Sequence, residues 1–169
     1  PPTPGIIYRF YKRQAGVYGY IGESSLGIDV RNHAPDLGKT PPRYDPQFDG
    51  AGHYPGVVGY WGQRKVFAGT VNEPQTNWMT ETGTESSLLY HRPGLATDSI
   101  RYTLAARQAN EIRYVVEHDD LYLFTAGAVW RSQAIVDQVV AAGNLEYKIV
   151  AKVGTANVRP VEAENSTLF

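Results

Sequence analysis

The chain has 169 residues and no cysteine. A disulfide framework, a cysteine-ligated zinc site and a thiol nucleophile are therefore excluded. No apolar run approaches the 18 residues that a membrane-spanning helix needs, so no membrane anchor is expected from the sequence given. Neither sign of charge is in excess. Lys and Arg number 16, Asp and Glu 17, for a formal net charge of −1. A dedicated nucleic-acid binder or a polybasic membrane-surface protein would carry a basic surplus. The chain opens at Pro1 without a methionine and stops at Ser-Thr-Leu-Phe inside a strand-like stretch, which reads as an internal piece of a longer protein.

Aromatic residues and turn formers are plentiful. There are 12 Tyr, 3 Trp and 5 Phe, with 17 Gly and 11 Pro. Aromatic and β-branched side chains suit pleated surfaces, and Gly and Pro punctuate short strands, so the composition points to a mostly β architecture. Residues 6–13 (IIYRFYKR) and 17–22 (VYGYIG) flank Gln14-Ala15-Gly16 and predict a hairpin. Residues 23–55 hold five prolines and little periodicity and read as a long connection. Residues 56–61 and 65–70 predict a second hairpin around Gly62-Gln63, with a further strand at 76–80 after a turn at Asn72-Glu73-Pro74. The polar stretch 81–97 reads as a loop. Strands follow at 99–104, 112–117, 121–125, 128–132 and 145–153, with 158–161 pairing beside the last. Residues 105–110 carry the one local helical propensity, and 135–142 is ambiguous between helix and strand. No exact repeat is visible, although short strands with frequent turns suit a propeller, sandwich or barrel.

Chemistry-bearing clusters are sparse. His33, His53, His91 and His118 are scattered without metal-ligand spacing. Glu117, His118, Asp119 and Asp120 form an acidic cluster in a tight turn without an EF-hand pattern, so a solvated turn outweighs a loose Ca²⁺ site. There is no P-loop, no G-x-G-x-x-G and no G-x-S-x-G elbow. No catalytic, cofactor-binding or metal-ligating residue is assigned. The opening Gly5-Ile6-Ile7-Tyr8, Tyr20-Ile21-Gly22, Arg31 and His33 is similar to the GIY-YIG nucleases. However, Arg31 and His33 stand only two residues apart, just before Ala34-Pro35, on a poor helix. Arg9, Lys12 and Arg13, interleaved with Tyr8, Phe10 and Tyr11, suit either a nucleic-acid backbone or a charged strand edge that discourages pairing.

A longer series of stretches carries a second resemblance. Tyr54-Pro55-Gly56-Val57-Val58 leads to Gln63-Arg64-Lys65-Val66-Phe67-Ala68-Gly69-Thr70, then Pro74-Gln75-Thr76-Asn77-Trp78. Asp98-Ser99-Ile100-Arg101-Tyr102, Asn110-Glu111-Ile112, Leu121 to Thr125 with Phe124, Trp130, and Val158-Arg159-Pro160-Val161 follow in order. Order and spacing resemble the tail nozzle proteins (tail tubular protein B) of short-tailed bacteriophages across nearly the whole chain. Lys65 stands where the pattern has an apolar residue, Thr80 replaces a serine, and residues 133–150 match loosely. The resemblance implies a non-enzymatic structural protein of the virion tail, made in the host cytoplasm and needing no cofactor. It implies a hexameric ring around the DNA-ejection channel, stacked below a tail adaptor protein and carrying fibres or spikes. The fold implied is one or more β-propeller blades of a larger nozzle protein over residues 41–169, preceded by a hairpin or sandwich-like accessory segment over 1–40. The alternative function is a carbohydrate- or receptor-binding β module, suggested by Tyr and Trp near loops.

Overall fold

The computed structural model describes residues 5–44, 48–105, 110–135, 139–163 and 166–168. In chain order its strands are β1 (Tyr8–Gln14), β2 (Val17–Ser24), β3 (Thr40–Tyr44), β4 (Val57–Trp61), β5 (Arg64–Ala68), β6 (Thr76–Met79) and β7 (Leu89–Arg92). They continue with β8 (Ile100–Thr103), β9 (Ile112–Glu117), β10 (Leu121–Thr125), β11 (Val129–Ala134), β12 (Leu145–Ala151), β13 (Val161–Ala163) and β14 (Ser166–Leu168). The protein is mostly β. Among the described residues the single helical element is a 3-10 turn at Val30–Asn32. The chain forms two compact units, Pro1–Tyr44 with Tyr90–Leu95, and Asp45–Leu89 with Ala96–Phe169.

In the first unit β1 and β2 form the expected antiparallel hairpin. Ala15 and Gly16 both take positive φ, 49° and 85°, the geometry that lets a two-residue turn follow the strand twist. Pairing slips by one residue where Phe10 meets Gly22 and Tyr11 meets Tyr20. Ile21 is the extra residue of this bulge and turns inward, 8% exposed. Beyond the hairpin, Tyr20 and Asp36 bridge through two backbone hydrogen bonds. β3 pairs with β7, whose residues Tyr90–Arg92 belong to this unit. Both strands lie in stretches read from sequence as loops. Pro41 and Pro42 mask β3 because proline removes ladder donors; the strand tolerates them because among the described residues β7 is its one strand partner in the sheet.

The second unit is built on two four-stranded antiparallel sheets, ordered β4-β5-β6-β8 and β9-β10-β11-β12. The β4–β5 hairpin turns on Gly62 and Gln63, with φ of 55° and 61°, as expected from sequence. A Cβ on Gly62 would sit 2.5 Å from Val140 Cγ2, so glycine is required there twice over. Along β5, Arg64, Val66 and Ala68 point inward and Lys65 and Phe67 outward. The inward faces of both sheets meet in one core containing Trp61, Val66, Met79, Ile100, Ile112, Leu121, Leu123 and Trp130. Across the two sheets, β4 and β9 run close together, and a Cβ on Gly59 of β4 would lie 3.1 Å from Val115 of β9. At the opposite edge Tyr102 of β8 stacks on Tyr147 of β12, centroids 3.8 Å apart and 9° from parallel. First strand thus faces first strand and last faces last. On the outer face of the first sheet Phe48 packs edge-on to Phe67 and Trp78, at 5.1 and 5.5 Å.

Two local expectations are corrected. Val161 pairs with Leu168 in a β13–β14 hairpin rather than beside β12. The stretch 81–97, read as a loop, contains β7. Most of the helical expectation at 105–110 and the core of the ambiguous stretch 135–142 fall at 106–109 and 136–138, outside the described residues.

Candidate functional site

The residues of the motif series gather where chain segments must be tied together, and Arg64 is the centre of the largest such node. It is 1% exposed. Its alternation with Val66 and Ala68 sends it inward from the first position after the tight turn. Nη1 donates to the carbonyls of Thr80 and Asp98, each at 2.6 Å, and Nη2 to Ala96 at 2.8 Å. Nε donates to Val140 at 3.2 Å. A planar guanidinium with fanned donors can satisfy several carbonyls at once; a lysine cannot. Burial pulls the Arg64 pKa below its ordinary value, against the attraction of the Asp98 and Glu81 carboxylates. Asp98 is itself 2% exposed. Thr80 closes the node, taking the Lys65 N–H on its hydroxyl at 3.0 Å and donating to Thr84 at 2.6 Å.

A second node joins the sheets further along. The Tyr147 hydroxyl donates to Asn77 Oδ1 at 3.1 Å, and burial raises the phenol pKa to about 12. Asn77 and Ser132 are fully buried. Asn77 Nδ2 and Trp130 Nε1 have no hydrogen-bond partner among the described residues. The third node is backbone. Gly69, with φ of 61°, leaves only 2.6 Å between an added Cβ and the Ile112 carbonyl. Pro74 accepts the Ile112 N–H at 2.9 Å, and Gln75 accepts the Leu104 N–H at 3.0 Å.

The remaining motif residues divide by depth. Trp78, Ile100, Ile112, Phe124, Trp130 and Pro160 are buried; Phe67 and Pro55 are half-buried; Tyr54 and Arg159 lie at the surface. Gln63 is exposed but holds the turn, and its carbonyl accepts the Gly83 N–H at 2.8 Å. Sequence reasoning missed Tyr147; Thr80, Asn77 and Gly154 stand within the motif series without an assigned role. A Cβ on Gly154 would meet the Ala126 carbonyl at 1.8 Å, a close approach that no local pattern announces.

The three tryptophans are 5, 2 and 6% exposed, so among the described residues the exposed aromatic side chains are tyrosines, Tyr54, Tyr60 and Tyr18 among them. The acidic turn 117–120 borders an open cleft of about 640 Å³ together with Trp61, Gly62 and Val140. Arg131 already occupies one of its carboxylates, 2.5 Å from Asp120. In the first unit Arg31 and His33 do not share a helix. Arg31 lies in the 3-10 turn with its guanidinium on Asp29 at 2.8 Å, which lowers the Asp29 pKa, and His33 is extended with φ of −107°. Lys12 is tied to the carbonyls of Val30 and His33 at 3.0 and 3.2 Å.

Comparison with protein-family models and with curated proteins finds no match to this chain. The arrangement itself serves to hold shape. Its buried polar groups cross-tie strands, and they do so from within the core.

Proposed function

We propose that this chain is part of a structural virion protein of a short phage tail, contributing to a ring-shaped nozzle around the DNA-ejection channel and to a platform for fibres or spikes. The observation that carries the reading is the ordered motif series from Tyr54 to Pro160, and its weight rises because its central residues are the nodes Arg64, Gly69 and Pro74. We further propose that the two four-stranded sheets are consecutive blades of a β-propeller. Propeller blades are four-stranded sheets set around a central channel. Matching strand order in the two sheets, with β4 close to β9, supports that arrangement.

The physical demands agree with the reading. A DNA conduit needs rigidity and weak phosphate affinity, because dense Lys and Arg would bind the backbone and retard passage. The near-zero net charge suits such a wall. A closed ring needs two different complementary surfaces on each subunit. Electron-microscope class averages of the full-length parent, alone and with its adaptor, test the proposal. Six-fold rings with a central hole that stack on the adaptor support it. Monomers under both conditions, together with absence from purified virions, overturn it.

A further inference from the structure

We propose that the first unit carries a binding groove for a carboxylate-bearing sugar, an inference that does not depend on the nozzle reading. The groove, about 260 Å³, lies between the β1–β2 hairpin, the start of β3 and residues 91–95. Such a volume suits a single sugar unit rather than a drug-sized ligand.

Three cations border it, Arg9, Lys39 and Arg92, against one lining carboxylate, Glu23, and the Asp36 carboxylate 3.6 Å from Lys39. The surplus favours an anion. Glu23 then narrows the choice. An ionised carboxylate only accepts hydrogen bonds, so the ligand must also bring donors. It sits 3.5 Å from Arg9, so donor and anion would be read side by side. A phosphodiester offers acceptors alone and would be repelled by Glu23. A sugar acid offers its carboxylate to the Arg and Lys and its hydroxyls to Glu23.

The rest of the lining fits the same chemistry. Tyr11 and Tyr20 pack edge-on, centroids 5.9 Å apart at 67°, and Lys39 Nζ lies 5.8 Å over the Tyr20 ring. One face of Tyr20 is thus capped by a cation, which closes that face to a nucleic-acid base. Pro93 and Leu95 add apolar surface for the C–H face of a sugar ring. Thr40 also lines the groove, is only 9% exposed, and its hydroxyl has no hydrogen-bond partner among the described residues.

The test is isothermal titration of the intact chain with a glucuronate-containing oligosaccharide, its neutral glucose counterpart and a single-stranded oligothymidine. Amide NMR spectra confirm that each variant remains folded. Saturable binding of the acidic sugar, at least ten-fold tighter than the neutral one, is expected. Lys39→Ala and Arg92→Ala should each weaken it five-fold or more. Glu23→Ala is decisive: it should weaken sugar binding, whereas at a simple anion site removing a carboxylate tightens binding. Equal binding of acidic and neutral sugars, tightening in Glu23→Ala, oligothymidine bound more tightly than the sugar, or no binding at millimolar concentration overturns the proposal.

Discussion

Replacing Arg64 with methionine tests the central claim about the fold, that one side chain ties four segments of the second unit together. Methionine keeps most of the aliphatic stem and removes the guanidinium. Four carbonyls then lose their donor, those of Thr80, Asp98, Ala96 and Val140. A hydrogen bond from a charged donor contributes about 1.5–3 kcal/mol, so a plain sum reaches about 6–12 kcal/mol. Two corrections reduce it. The bonds share one donor group and are not additive. Removing a buried charge also recovers a desolvation penalty of several kcal/mol. The net expectation is a loss of about 3–4 kcal/mol, the lower part of the ~3–5 kcal/mol range seen when a buried ionic partner is removed. For a domain of this size that lowers the melting temperature by about 10 °C. Arg64→Lys keeps the charge but concentrates its donors at one point, and should lose about 2 kcal/mol. Tryptophan fluorescence is the suitable probe, because Trp61, Trp78 and Trp130 all lie in the second unit. If the methionine variant melts within about 1 °C of the parent, the guanidinium is not the tie and the reasoning fails.

Other substitutions probe the remaining nodes. Gly69→Ala combines positive φ with a Cβ 2.6 Å from the Ile112 carbonyl and should cost about 2–4 kcal/mol by chemical denaturation; a neutral result would remove the Gly69–Ile112 contact from the account. Gln63→Gly relieves a non-glycine residue at φ of 61° and should stabilise by about 0.5–1 kcal/mol, read as a higher denaturation midpoint with unchanged slope. Leu123→Ala, at 0% exposure, should cost about 2–5 kcal/mol. Tyr147 has its phenol pKa raised to about 12. The unfolded phenol ionises first, so its contribution is complete below pH 10 and is lost as the pH climbs toward 12. That loss is at most about 3 kcal/mol. Melting curves from pH 8 to 12 should fall less steeply for Tyr147→Phe, and parallel curves would refute the assignment.

Where a signal in the sequence was local, the fold was legible. The Gly62-Gln63 and Ala15-Gly16 turns announce themselves because positive φ demands few residue types and the flanking stretches alternate. The strands β9 to β11 follow each other through tight turns and could be read in order. β3 and β7 could not, since their pairing is with a distant partner and prolines or polar residues fill the local pattern. The candidate nodes divide the same way. Arg64, Gly69 and Pro74 stood within a recognisable series. Asn77 sat inside that series without being singled out, and Tyr147 and Gly154 matter through partners 70 and roughly 28 residues away, Asn77 and Ala126. An arginine at the start of a strand ordinarily reads as exposed. Its inward direction follows only once the tight turn fixes the phase of β5, because a shift of one residue sends every side chain to the other face.

That dependence of Arg64 on the turn has a consequence for how the second unit resists deformation. The turn residues Gly62 and Gln63 set the phase of β5, the phase sends Arg64 inward, and Arg64 fastens the carbonyls at 80, 96, 98 and 140. Carbonyls 96 and 98 come just before β8, carbonyl 80 just after β6, and carbonyl 140 between β11 and β12. One side chain therefore links the last strands of the first sheet to the connection inside the second. Apolar packing alone would let the sheets slide, since dispersion contacts are non-directional. A fixed fork of hydrogen bonds does not, because a planar guanidinium holds each carbonyl in a set direction. Sheets that must keep their relative angle under load need such a directional tie, and a buried arginine supplies it at the cost of desolvating one charge.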